Sequence, residues 1–195
     1  MSKRQLPRLG LLCVVIACCP PVHAAAKDGE LPVRETEFVG GDGGGAFRVL
    51  PINSKVSAEA RVTRIVFLIG DYVERVHCHV EIDDQSWESP LFGRKLGPEP
   101  GSKEYTFTMM DGEHLVSIDV ATIEFGKNKA QVPCRLVVQT NERSVEIGQE
   151  GRGEFVGTVR APKGARVVGI CGRAGTHVDS LGFQYVEAAQ ERKEE

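Results

Sequence analysis

The stretch RVHCHVEID at residues 75–83 sets Val76, Cys78, Val80 and Ile82 on one side and Arg75, His77, His79 and Glu81 on the other. A repeat of two places alternate side chains on opposite faces of a strand, so this run predicts a half-buried strand. Further apolar, β-branched runs predict strands at 62–70 (VTRIVFLIG), 115–125 (LVSIDVATIEF), 134–140 (CRLVVQT), 154–160 (EFVGTVR), 166–172 (RVVGICG) and 183–188 (FQYVEA). Turn formers separate them: Gly70-Asp71, Asp111-Gly112, Gly126-Lys127-Asn128, Gly151-Arg152-Gly153 and Pro162-Lys163-Gly164. From residue 25 onward no window longer than ten residues carries an apolar stripe at the helical repeat. Short strands joined by glycine-rich turns predict an all-β sandwich, barrel or prism. Residues 84–104, with Pro90, Pro98 and Pro100, read as a long loop.

The first residues have a different logic. A basic MSKRQLPR precedes the apolar run LGLLCVVIACC, and Val22 and Ala24 supply small side chains for cleavage after Ala24. The apolar run is too short to span a bilayer, so residues 1–24 are expected to be a secretory signal and the protein to be secreted or periplasmic. Val15-Ile16-Ala17-Cys18 also resembles a bacterial lipobox. In that alternative Cys18 is acylated and tethers the domain to a membrane, which would be the protein's only membrane partner. Residues 25–36 are small and polar, as in a linker, residues 37–187 form one domain, and 188–195 are a polar tail.

Cleavage after Ala24 removes Lys3, Arg4 and Arg8, leaving 21 basic against 27 acidic residues and a net charge near −6. That balance argues against a nucleic-acid partner. Cys78, Cys134 and Cys171 remain in strand-like segments, where one disulfide and three buried thiols are both compatible with the sequence.

Candidate chemistry is concentrated near the C-terminus. In GICGRAGTHVDSLGF (169–183), Gly172 and Gly175 precede a short strand bearing Asp179. Glycine turns let backbone N–H groups approach a ligand, and an ionised Asp accepts several hydrogen bonds at once. The pair suits a neutral, hydroxyl-rich molecule, and GGDGGGAF at 40–47 could close the same pocket. No Lys-Ser/Thr follows these glycines as in a phosphate loop, and Gly-x-Ser-x-Gly is missing. Ser180, His177 and Asp179 are too close on one strand to form a catalytic triad. His77, His79 and Glu81 share a strand face, but the sequence puts no further ligand beside them. No catalytic residue, metal site or cofactor is therefore expected.

Four segments together resemble the jacalin-related lectins. VGGDGGGAF (39–47) is similar to that family's glycine-rich opening followed by an aromatic, here Phe47. MMDGEHLVSIDV (109–120) resembles its L-x-x-x-E-x-I strand, and CRLVVQTNERSVEIG (134–148) its T-N segment, with Thr140 and Asn141 in place. VVGICGRAGTHVDSLGFQYV (167–186) resembles the closing segment, whose G-x-x-x-D loop falls on Gly175–Asp179. The resemblance covers about residues 37–187. It implies a β-prism I fold: three four-stranded Greek-key sheets with a sugar site at one end.

By that resemblance Gly44 supplies a backbone contact to sugar, Gly175 opens the binding loop, and Thr176 and His177 present backbone N–H groups. Asp179 then accepts from two adjacent hydroxyls. Two departures stand out: residues 90–97 read PLFGRKLG where a second glycine pair is common, and no stacking aromatic occupies 176–177. The resemblance thus implies a secreted, non-catalytic lectin for mannose- or glucose-type sugars, with glycans or glycoconjugates as partners. So small a site needs a homo-oligomer or a polyvalent glycan for useful avidity. The alternative is a β-prism module that binds protein or serves an envelope structure, its sugar site degenerate.

Overall fold

The computed structural model of the chain describes residues 29–187; the leader, Cys18, residues 25–28 and the tail from 188 onward lie outside the described residues. The described residues hold strands and no helix. In chain order these are β1 (Glu30–Pro32), β2 (Arg34–Glu35), β3 (Val39–Gly40), β4 (Gly45–Arg48), β5 (Lys55–Ser57) and β6 (Arg61–Ile69). Then follow β7 (Val73–Ile82), β8 (Gln85–Glu88), β9 (Phe92–Gly93), β10 (Lys103–Thr108) and β11 (Leu115–Phe125). The series ends with β12 (Ala130–Thr140), β13 (Ser144–Gly148), β14 (Glu154–Arg160), β15 (Ala165–Ala174) and β16 (Val178–Glu187).

Three sheets, each built on a path of four strands, form the prism. Their orders are β10-β6-β7-β8 with β9 beside β7, β13-β12-β11-β14, and β2-β16-β15-β4 with β3 beside β16. Each is centred on a long hairpin: β6–β7, β11–β12 and β15–β16. Ile65 and Phe67 from the first sheet, Ile118 and Leu136 from the second, and Ile170 and Phe183 from the third meet in one buried cluster. The alternation in 75–83 places Val76, Cys78 and Val80 in that core, with His77 and His79 on the outer face.

Several expectations change. Residues 30–35 were expected to belong to a linker, yet β1 pairs with β5 and β2 with β16. Their polar composition hides strands whose partners lie far along the chain. The stretch 84–104 is broken rather than structureless: β8 and β9 both pair with β7, separated by the Ser89-Pro90 interruption. Cys78, Cys134 and Cys171 are three buried free thiols. Burial pushes the Cys78 thiol up to about 12 and raises the other two, so none is a ready nucleophile.

The Glu113 and Thr140-Asn141 motifs turn out to clasp one corner of the second sheet. Buried Glu113 accepts from Thr140 Oγ1 at 2.7 Å, Arg143 Nε at 2.8 Å and the Met110 backbone N–H at 2.9 Å. Asn141 Oδ1 accepts from the His114 backbone N–H at 2.8 Å. These bonds tie the turn before β11 to the turn after β12.

Candidate functional site

The third sheet brings the two glycine-bearing segments together by register. β4 pairs with β15, opposing Gly45 to Ala174 and Phe47 to Gly172, while β3 pairs with β16, opposing Gly40 to Ser180. Residues 41–44 must therefore cross the tip of the β15–β16 hairpin. The crossing is pinned by the Gly41 N–H donating to Asp179 O at 2.8 Å. Arg173 reaches back from β15 and donates to Gly43 O and Gly44 O, each at 2.8 Å.

Asp179 lies at the centre of this junction and is only 5% exposed. A side chain on Gly43 would place its Cβ 2.3 Å from Asp179 Oδ1, and one on Gly44 would lie 2.5 Å from Oδ2. Gly44 also has φ +60°, in the left-handed region that disfavours a Cβ. The carboxylate thus packs against bare backbone at two successive positions. Gly175 and Thr176, at the hairpin tip, are exposed. The tip is closed by the Gly175 N–H donating to His177 O at 2.9 Å.

The structure unites Gly44, Gly175, Thr176, His177 and Asp179 at one end of the prism. For His177 it adds something the sequence did not indicate. Its imidazole is folded in, with Nε2 at 3.2 Å from Asp179 Oδ1, and Thr176 Oγ1 stands 3.2 Å from Nδ1. The ring packs against Tyr72 and Phe125 at centroid distances of 5.1 and 4.8 Å. Tyr72 and Phe125 themselves meet edge to face at 5.0 Å.

Tyr72 and Phe125 are site neighbours that sequence reasoning missed. They come from the β6–β7 and β11–β12 turns, so the tips of all three central hairpins converge. The available signal was an aromatic residue beside the Gly70-Asp71 turn and another beside Gly126-Lys127-Asn128. Phe125 is 38% exposed and supplies an apolar surface that positions 176–177 lack. Tyr72 donates to Glu99 Oε1 at 3.1 Å; burial and that acceptor raise its pKa, keeping the phenol protonated. Glu99 also lines a groove with Gly70, Asp71 and Ser102.

Chemically, the site offers one carboxylate held by imidazole, exposed backbone at a glycine-rich rim, and an aromatic wall. Fold and site define a three-sheet β-prism whose hairpin tips gather a carboxylate, an imidazole and bare glycine backbone at one end. The model of the Jacalin-like lectin domain family matches residues 36–184, and the chain belongs to that family.

Solved structures agree on the fold. A mannose binding jacalin related lectin from Ananas comosus is 22% identical, with a TM-score of 0.63 over 80% of this chain and 99% of that one. A mannose-specific jacalin-related lectin from Morus nigra, solved with mannose, is 23% identical, with a TM-score of 0.63 over 83% of this chain and 99% of that one. Frutapin, a lectin from Artocarpus incisa, is 18% identical, with a TM-score of 0.64 over 79% and 97%. The sequence matches no curated protein.

Proposed function

We propose that the protein is a non-catalytic lectin that binds mannose- or glucose-type sugars at the junction of residues 41–44 and 175–179. The observation that carries this reading is the packing of Asp179 against Gly43 and Gly44. Two positions without side chains leave backbone and carboxylate side by side, the donor–acceptor mixture that vicinal sugar hydroxyls match. The mannose-binding relatives of the same fold support the choice of sugar class.

In this reading Gly44, Gly175 and Thr176 form the rim and present main-chain groups to ring and exocyclic oxygens. Asp179 accepts from two hydroxyls, and the His177 contact holds its carboxylate in one orientation. Phe125 takes the apolar face of the sugar.

The test is a glycan array read with the wild type and Asp179→Asn, which keeps the shape and removes the charge. Hydrogen bonds to a charged group contribute about 1.5–3 kcal/mol, so the variant should lose roughly 10- to 100-fold in retention. Retention unchanged by Asp179→Asn would remove the site. A wild type that ignores every glycan yet captures an envelope protein would favour the β-prism interaction module instead.

A further inference from the structure

The outer face of the first sheet brings together three groups that the sugar site does not use. His77 and His79 are two residues apart on β7, so both imidazoles leave the same face. Glu81, the next residue on that face, is engaged elsewhere: both Nε and an Nη atom of Arg61 donate to its Oε2, at 2.9 and 2.8 Å. A different carboxylate takes its place. In the β7–β8 register Glu88 stands opposite His79, and cross-strand partners share a face.

Glu88 Oε1 lies 3.5 Å from His77 Nε2 and 3.8 Å from His79 Nε2, and one ligand atom from each residue falls within 4.8 Å of the others. We propose that His77, His79 and Glu88 form a binding site for a divalent transition-metal ion, Zn²⁺ or Cu²⁺.

Four-coordinate zinc with bonds of about 2.0–2.1 Å separates its ligand atoms by about 3.3 Å. The two measured separations are close to that edge and longer than a charge-assisted hydrogen bond. The imidazole rings are largely covered by the sheet, with side-chain exposures of 13% and 21%, while Glu88 is 59% exposed. Closing on an ion therefore takes a rotation of the exposed Glu88 side chain and an approach of the two imidazoles, whose ligand nitrogens lie within 4.8 Å, with a fourth position open to water. Imidazole with a single carboxylate suits zinc and copper, whereas calcium and magnesium take oxygen ligands throughout.

One further detail sets the expected strength. His77 Nδ1 is buried and has no hydrogen-bond partner among the described residues. Metal-binding histidines usually donate from the second nitrogen, and loss of that support costs 10- to 100-fold in affinity. A dissociation constant on the order of micromolar is expected, well short of a structural zinc site.

The experiment uses the full chain as produced after any processing, without a polyhistidine tag. Titration calorimetry with ZnCl₂ should give one equivalent bound. Cu²⁺ should quench the fluorescence of Trp87, the chain's single tryptophan and the residue next to Glu88. His79→Ala and Glu88→Gln should each weaken binding at least tenfold with unchanged circular dichroism, and His114→Ala, at an exposed histidine away from the cluster, should not. Absence of saturable Zn²⁺ or Cu²⁺ binding would overturn the proposal. So would binding that survives both His79→Ala and Glu88→Gln, or that disappears in His114→Ala.

Discussion

Glu113 is a buried carboxylate whose charge is compensated from several directions. Burial alone would raise its pKa, but Arg143, the Met110 N–H and Thr140 more than reverse this and bring it to about 2 from an ordinary 4.5. A depressed folded-state pKa means stability is fully present above the ordinary value and is lost as pH falls through the folded one. Thermal melting of the wild type should therefore weaken between about pH 4.5 and pH 2. Glu113→Gln should melt lower than the wild type at pH 7 and converge on it near pH 2. A constant gap between the two across that range would mean the carboxylate's ionisation is not what matters. Asp179, by contrast, packs against bare glycine backbone and the His177 imidazole, with no arginine clasping it.

Among the strands, β16 shows most plainly where sequence patterning works and where it fails. Residues 178–186 are all buried, so the strand has no polar face to reveal an alternation, and the sequence showed it only in two pieces, a short strand bearing Asp179 and an apolar run at 183–188. Gln184 is the polar residue that makes this burial workable. Its Oε1 accepts from the Leu50 N–H and its Nε2 donates to Leu50 O, both at 2.8 Å. Gln184→Met keeps the length but strands two backbone groups, a loss of about 2–4 kcal/mol. At about 2–4 °C per kcal/mol for a domain of this size, the melting temperature should drop by roughly 5–15 °C in differential scanning calorimetry. A drop under 2 °C would show that water or rearrangement satisfies Leu50.

β7, exposed on one face, was predicted nearly residue for residue, because its pattern and its environment share a period. The glycines at 40–45 and the loop at 175–179 were legible as a pair only through their chemistry. Their meeting depends on β3 and β4 pairing with β16 and β15, more than 120 positions away. The aromatic wall of Tyr72 and Phe125 and the approach of Glu88 to two histidines depend on hairpin geometry. No linear spacing encodes them.

For the molecule as a whole, the small extent of the proposed site limits what one copy can do. A rim of exposed backbone with a single carboxylate should hold a monosaccharide with a dissociation constant of about a millimolar, around −4 kcal/mol. Retention on a densely glycosylated surface should exceed that by two or more orders of magnitude wherever several copies engage at once. Ligand-observed NMR with free mannose, set against surface plasmon resonance on a mannan-coated chip at low and high protein density, measures both. Equal apparent affinity at the two densities would argue for a larger single-copy footprint, with the groove along Gly70, Glu99 and Ser102 as the place to look.

The sheet that holds this junction is sewn from segments more than 120 residues apart: β2, β3 and β4 can find no edge until β15 and β16 exist. During synthesis the sheet therefore waits for β15 and β16, and a nascent chain halted before residue 178 carries the glycines without the acid they enclose. Pairings this distant close slowly, so this side of the prism is expected to form last.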